Sequence, residues 1–305
     1  MAISACSNRV NEQGMEMIEH GTALFPIACY HDDLTWEGVP WHWHEEFEAL
    51  LVTEGCALAE TDTQQFLVRK GQGCLVNVNV LHSMRNTHPG ENCRFHSMCF
   101  HPRLSGGSAE SIFWEKYVYP VTGNHACRML LLTPGDPVHS SLLERIERVW
   151  QACANEPEDY EIRIRYDLSM LFAQTAKLMP GKDEKAHRRD AVREERMKAM
   201  LAYIHQNLET DLHVSDIGKA ANISESECLR TFREITRVTP MRYVMQLRMQ
   251  KAAEMLKNSD LPVSEIGGAC GFMDMSYFSR VFRASYGVSA TAYRRAMAPT
   301  MTGRS

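Results

Sequence analysis

No window of this 305-residue chain approaches 18 consecutive apolar residues, so no segment is built to span a membrane as a helix. Its ten cysteines are scattered, with no CxxC pair among them, which argues against a cysteine-type zinc site. The opening "MAISACSNRVNEQGMEMIEH" lacks a basic stretch followed by an apolar run, so export is not expected. The thiols are then expected to be reduced and mostly buried, in a cytoplasmic protein. No charge of one sign dominates either: the net charge is -5, with 23% charged and 44% hydrophobic residues, ordinary values for a globular chain. The length allows two or three domains with cores of their own.

The modest net charge conceals an asymmetry. From Glu195 to Ser305 there are 15 Lys+Arg against 11 Asp+Glu, a balance of +4, which leaves -9 for the remainder. A mildly basic C-terminal portion permits nucleic-acid binding without requiring it.

Between about Phe25 and His101, short apolar or alternating runs ("FEALLVTEG", "QQFLVRK", "GCLVNVNVLH", "RFHSMCFH") are separated by turn formers such as Gly55, Gly71 and Gly73. Short strands with regular turn signals predict an all-β sandwich or barrel. The period then changes. "SSLLERIERVWQACANE" puts Leu142, Leu143, Ile146, Val149 and Trp150 on one helical stripe. "EIRIRYDLSMLFAQTAKL" does the same with Ile164, Leu168, Leu171, Phe172 and Thr175. "MPGKDEKAHRRDAVREER" is polar and reads as a linker running into the next helix. From Met197 onward the pattern is helical throughout.

That last part contains an internal repeat. "DLHVSDIGKAAN" (Asp211–Asn222) and "DLPVSEIGGACG" (Asp260–Gly271) agree at seven of twelve positions at an offset of 49. Beyond the following turn the offset is 50, so that Ser224 matches Asp274, Arg230 matches Arg280 and Phe232 matches Phe282. Each copy reads as helix, short turn, helix. Val214, Ile217 and Ala221, and then Val263, Ile266 and Cys270, are the expected inward positions of the first helices. Asn222 and Gly271 stand where a helix end takes a left-handed residue, and Ser224 and Asp274 where the next helix needs an N-cap. In a helix-turn-helix the second helix can enter the major groove. The expected outward positions are Ser226, Leu229, Arg230 and Arg233 in the first unit and Met275, Ser276, Ser279, Arg280 and Arg283 in the second. Arg230 and Arg280 are placed to reach guanine O6 and N7, and Arg233 and Arg283 to reach phosphates. Such helix pairs also occur in proteins that never touch DNA; it is the duplication with matched caps and matched arginines that favours DNA. Between the units, "MRYVMQLRMQKAAEMLKNS" is one amphipathic helix, with Tyr243, Leu247, Ala252 and Leu256 available to pack on both.

The segment from about Met200 to Arg295 resembles the DNA-binding domain of the AraC/XylS family of transcription regulators. The residues that carry this are "VSDIGKAANISESECLRTFREITRVTPMRYV", "RMQKAAEML" and above all "PVSEIGGACGFMDMSYFSRVFRASYGVSATAYRR". Ala290 stands where the family often has Pro. The resemblance implies that both units bind double-stranded DNA, near RNA polymerase, and that the N-terminal part senses a small effector. It also implies a homodimer formed through the helices that follow the strands.

The other candidate site is "WHWHEEFEALLVTEG", Trp41–Gly55. In a strand, residues two apart face one side, so His42 and His44 would share an interior with Glu48. The spacing His42-x-His44-x3-Glu48-x6-Gly55 resembles the first cupin motif. Gly71-x5-Asn77-x-Asn79-x2-His82-x3-Asn86 resembles the second, with Asn77 and Asn79 in place of the usual Pro and Gly. His42, His44, Glu48 and His82 thus occupy the positions that hold metal in metallocupins. Three uses compete: one divalent metal ion; a metal-free effector pocket with Trp41, Trp43 or Phe47 as apolar wall; or mutually satisfied buried polar groups.

The expected architecture is α+β and multidomain. A cupin-like β-barrel, a double-sheet jelly roll, spans 20–135; a helical connector or dimerisation region spans 136–180, and a linker 181–196. An all-α domain with two helix-turn-helix units spans 197–299. The expected function is sequence-specific regulation of transcription under control of a small-molecule effector, with no catalytic residues. The alternative from another class is a metal-dependent cupin enzyme with an appended helical assembly domain.

Overall fold

The structure, a computed structural model, describes residues 20–36, 38–179 and 184–297, and the side chains of all of these but 184–190 and 297. The opening residues read for an export signal lie outside this range, as does part of the expected linker. The chain divides into two compact units, Met1–Lys198 and Ala199–Ser305.

Among the described residues of the first unit there are nine strands, all but the last within the stretch of short alternating runs: β1 (Ile27–Asp33), β2 (Val39–His42), β3 (Phe47–Glu54), β4 (Cys56–Thr61), β5 (Gln65–Arg69), β6 (Gly73–Val76), β7 (His82–Asn86), β8 (Arg94–Phe100) and β9 (Met129–Leu132). They form two antiparallel sheets, β1-β8-β3-β6-β9 and β2-β7-β4-β5. The β3–β4 hairpin turns at Gly55, whose φ of +75° suits glycine; a Cβ there would stand 2.0 Å from the carbonyl oxygen of Asn92.

The five-stranded sheet is buried on both faces, and the two-residue period of β3 sorts the side chains. Leu50 and Val52 join Ala57, Val68, Val76 and Phe95 in a core facing the second sheet. Phe47 and Ala49 point the other way, into a core shared with helices. After β8 come α1 (Arg103–Gly106), a π-helical turn (Trp114–Val118) and α2 (Tyr119–Thr122), and after β9 come α3 (Pro137–Asn155) and α4 (Tyr160–Leu178). The stripes expected on the last two are buried: Leu142, Ile146 and Val149 of α3, and Ile164, Leu168, Leu171 and Phe172 of α4. They pack on the outer face of the sheet and on each other, with Trp150 Nε1 donating to the Tyr30 carbonyl at 2.8 Å. Arg145 Nη1 and Arg148 Nη2 of α3 each stand 2.7 Å from Asp167 of α4. The connector's apolar faces are therefore used within the unit.

The charged stretch expected as linker is helical from Glu184. It forms α5 (Glu184–Gln206), whose polar sequence gives no sign of the anchors that the fold supplies. The described cysteines are all free, and all but Cys56 are buried. Among the described residues no helix is long and apolar enough to cross a membrane.

The second unit holds α6 (Val214–Ala220), α7 (Glu225–Thr236), α8 (Pro240–Asn258), α9 (Val263–Ala269), α10 (Met275–Tyr286) and α11 (Ala290–Met297). Tyr243, Leu247, Ala252 and Leu256 of α8 are buried, as their spacing predicts. Ala252, Ala253 and Leu256 pack with Ile266, Cys270, Phe272, Phe278 and Phe282 in a core for the second repeat. Ala290, where a Pro is common, is the first residue of α11 and is buried. That position tolerates but does not require Pro.

Candidate functional site

The four candidate ligands meet inside the barrel. His42 ends β2 and pairs in register with His82, the first residue of β7. Glu48 is the second residue of β3 and faces inward because Phe47 faces outward. One ligand atom from each of His42, His44, Glu48 and His82 lies within 4.8 Å of the others, although the residues come from both sheets. All three histidines are buried.

Backbone carbonyls set the tautomers. His42 Nδ1 is 2.9 Å from the Pro40 oxygen, His44 Nδ1 is 3.1 Å from the Glu46 oxygen, and His82 Nδ1 is 2.8 Å from the Val80 oxygen. A carbonyl oxygen has no proton to give, so each Nδ1 donates, and the neutral ring carries its lone pair on Nε2. His82 Nε2 approaches Glu48 Oε2 to 2.9 Å, and His44 Nε2 approaches it to 3.7 Å. Burial opposes ionisation of Glu48, but contact with His44 and His82 outweighs it and holds the carboxyl well below the usual carboxylate range. Three imidazoles oriented by backbone carbonyls around one carboxylate form a ligand set for a divalent transition metal. To take an ion between them, the widest of these separations would close and the 2.9 Å approach of His82 Nε2 to Glu48 Oε2 would open.

The cavity beside this cluster is about 30 Å³, with Tyr30, Asp32, Leu50, Met84, Phe95 and Ser97 among its walls. Asp32 accepts a hydrogen bond from Ser97 at 2.6 Å, and His20 Nδ1 lies 2.8 Å from the Tyr30 hydroxyl. Trp41, Trp43 and Phe47, the expected apolar wall, do not line it. Phe47 instead packs outside, its ring tilted against those of Phe172 and Phe100 with centroids 5.0 and 5.7 Å away. Trp43 is buried with Lys198 Nζ 5.5 Å from its ring centre. The reason is the strand period: neighbours of inward residues face away. The same alternation, applied to β1, would have pointed to Tyr30 and Asp32.

The second cupin motif keeps its geometry through its two departures. Asn79 takes φ +57°, the left-handed region that asparagine tolerates best after glycine. Asn77 Nδ2 donates to the carbonyls of Val121, Asn124 and Cys127 at 3.0, 3.3 and 3.1 Å, tying this loop to the segment before β9.

Sequence reasoning missed a buried ionic cluster beside this loop. Arg128 stands 2.7 Å from Asp62 and 2.8 Å from Glu194, with Lys198 3.2 Å from Glu194. Burial pushes the Asp62 carboxyl up, whereas the charges of Arg128 and Lys198 outweigh burial at Glu194 and pull it down. Members 132 residues apart in the chain leave no local signal of their pairing.

In the second unit the repeat folds as two helix-turn-helix pairs, α6–α7 and α9–α10. Ser224 caps α7 by accepting from the Glu227 N–H at 3.2 Å, and Asp274 caps α10 by accepting from Ser276 at 2.8 Å. Asn222 and Gly271 are left-handed, at φ +55° and +79°. Ser226, Arg230 and Arg233 of α7 are exposed and Leu229 is half-buried; Ser276, Ser279, Arg280 and Arg283 of α10 are exposed and Met275 is half-buried. Arg230 sits 3.6 Å from Glu227, and the Arg280 guanidinium lies 5.6 Å from the Tyr277 ring. Met273, fully exposed, and Tyr277 extend this surface beyond the expected residues.

Two family models match the chain, an AraC-like ligand binding domain over residues 24–165 and a helix-turn-helix domain over 217–296. An uncharacterized helix-turn-helix transcriptional regulator of Bacillus subtilis, YdeC, is 27% identical over 94% of this chain and 98% of its own length. The RhaS transcriptional activator of Klebsiella pneumoniae is 22% identical over 81% of this chain and 84% of its own. Among solved structures, unsaturated fatty acid-bound ToxT of Vibrio cholerae covers 94% of this chain and 100% of its own, at 14% identity and a TM-score of 0.47. The relatives are regulators of transcription, which sets the enzyme alternative aside. With a ligand-binding domain built on two β-sheets before a duplicated helix-turn-helix, this chain belongs to the AraC family of transcriptional regulators.

Proposed function

We propose that the barrel pocket receives a small effector and that its occupancy controls how α7 and α10 engage double-stranded operator DNA. The observation that carries this is the matched pair of recognition helices, capped alike and exposing arginines at equivalent positions. Arg230 and Arg280 read guanine edges, and Arg233 and Arg283 hold phosphates. Ser226, Leu229, Met275, Ser276 and Ser279 complete the two surfaces. If α7 and α10 meet successive major grooves, their centres lie about 34 Å apart on one face of the duplex. The regulator works in the cytoplasm, at promoters and beside RNA polymerase, as the family resemblance suggests. A homodimer through the outer faces of α3 and α4 is supported by exposed Ile162 and Tyr166, which flank a groove of about 690 Å³. Effector binding favours one arrangement of a pre-existing equilibrium, a population shift.

The test is DNA binding by the full chain to fragments it selects from a random pool, at several salt concentrations. R230A with R280A is expected to cost about 1–3 kcal/mol per lost base contact and to relax the selected sequence. R233A with R283A is expected to weaken all sequences alike and lower the salt slope by about 1 per residue. Unchanged affinity and specificity in R230A/R280A would refute the assignment.

A further inference from the structure

We infer that the species this barrel senses is itself a divalent transition-metal ion, held by His42, His44, Glu48 and His82 and read out through the loop Asn77–His82 onto α5. This rests on the reading that the barrel controls the DNA-binding unit, and deepens it by naming the ligand.

His44 and His82 are oriented so that their neutral rings turn Nε2 lone pairs toward the Glu48 carboxylate. The 2.9 Å approach of His82 Nε2 to Glu48 Oε2 leaves both atoms buried without a well-formed hydrogen bond. Without a second proton on these rings the contact sets acceptors against an acceptor in a dry interior, and one cation bound between them supplies the positive charge that those protons would otherwise bring. His42 brings a third imidazole into the same 4.8 Å cluster. Imidazole with a single carboxylate suits Zn²⁺, Fe²⁺, Mn²⁺ or Co²⁺ rather than the all-oxygen shells of Ca²⁺ and Mg²⁺.

The space available points the same way. Pockets for organic ligands run to roughly 300–1,000 Å³, whereas this cavity is about 30 Å³, enough for an ion with a water or two.

The readout lies in the backbone between two ligands. His44 accepts the Asn79 N–H through its carbonyl at 2.8 Å, and His82 ends the same loop. On its other side the loop is clasped by α5: Leu81 N–H donates to Glu194 at 3.0 Å, and Lys198 Nζ donates to the Asn79 carbonyl at 2.8 Å. Arg128, paired to both Asp62 and Glu194, anchors that clasp to the barrel. Rearranging the ligands around an ion moves both ends of a loop that α5 holds in its middle, and α5 itself continues to Gln206.

The experiment uses the full metal-free chain, titrated with Co²⁺, Zn²⁺ and Mn²⁺. Uptake is measured by equilibrium dialysis, the Co²⁺ visible spectrum reports the ligands, and affinity for a selected DNA fragment is measured with and without ion. Expected are one ion per chain, a nitrogen/oxygen Co²⁺ spectrum, and a change in DNA affinity within the roughly 5–150-fold range of allosteric couplings. His42→Gln and His82→Gln should each weaken uptake by more than about 100-fold, since even supporting partners of metal ligands are worth 10–100-fold. Glu194→Gln and Lys198→Met should take up the ion as the parent chain does while losing most of its effect on DNA. The Co²⁺ spectrum of the parent chain reads the ligand types even if a histidine variant does not fold. Absent uptake, uptake undiminished in folded histidine variants, ion binding that leaves DNA affinity unchanged, or a full response in both α5 variants would each overturn the inference. In all of these, DNA binding that still depends on Arg230 and Arg280 would leave the broader function standing.

Discussion

Replacing Phe47 by Ala tests which way β3 faces, and with it the whole construction of the site. Phe47 is 1% exposed, within ring contact of Phe100 and Phe172, and lies between the five-stranded sheet and α4. Both neighbours belong to regular elements that cannot collapse into the vacated space, so the loss should fall within the range of about 3–5 kcal/mol for buried Phe→Ala changes. At roughly 2–4 °C per kcal/mol for a unit of this size, the melting temperature should fall by about 6–20 °C. Since Phe47 faces away from the ligand cluster, the ion or effector affinity of the folded fraction should be unchanged. Thermal unfolding by circular dichroism, with ligand titration well below the new midpoint, measures both. A variant that melts like the parent yet loses ligand binding would mean the side chain points into the barrel. Because a one-residue slip exchanges every side chain between faces, Glu48 would then point out and the site would dissolve.

Gly271→Ala should destabilise the second unit by about 1 kcal/mol or more, because φ is +79° and the new Cβ would lie 2.9 Å from the Leu208 carbonyl oxygen. At Gly287, also left-handed but with open space around it, the same change should cost less; urea titration of the two side by side decides this. Glu194→Gln should lower stability at neutral pH by about 1–3 kcal/mol, as a buried acceptor for Leu81 and Arg128 is weakened. The Glu194 carboxyl is held below its ordinary value, so its contribution is present above pH of about 4.3 and is lost as pH falls through the folded value. Asp62, raised by burial, acts in the opposite sense, so the diagnostic is the difference in melting temperature between parent and variant. That difference should shrink below about pH 4.3; one that is constant from pH 7 to pH 3.5 would contradict the pairing.

Much of the DNA-reading unit is written locally. Caps at Ser224 and Asp274, left-handed residues at Asn222 and Gly271, and apolar positions three and four apart each act within one or two turns of helix. Duplication then repeats every such signal at a constant spacing. The metal-competent set was readable for a related reason: the two-residue period of a strand puts His42 and His44 on one side wherever the strand ends up. The same period, consistently applied, also excludes Trp41, Trp43 and Phe47 from that side, and there the expectation of an apolar wall failed.

What the sequence determined by itself was therefore the kind of each element, the faces it offers and the chemistry on those faces, since these depend on backbone period and short-range hydrogen bonds. What only the tertiary structure decided was which faces meet. The stripes of α3 and α4 could have served a partner chain; they are buried on the barrel's sheet because that sheet presents Phe47, Ala49, Met98 and Phe100 outward. A charged stretch that reads as linker became α5 with Glu194 and Lys198 seated on the Asn77–His82 loop. Asp62, Arg128 and Glu194 are far apart in the chain, and each alone looks like a solvated charge. Burial makes them partners, because in a dry interior a charge is tolerated only beside its opposite, and only the folded chain brings the opposites together.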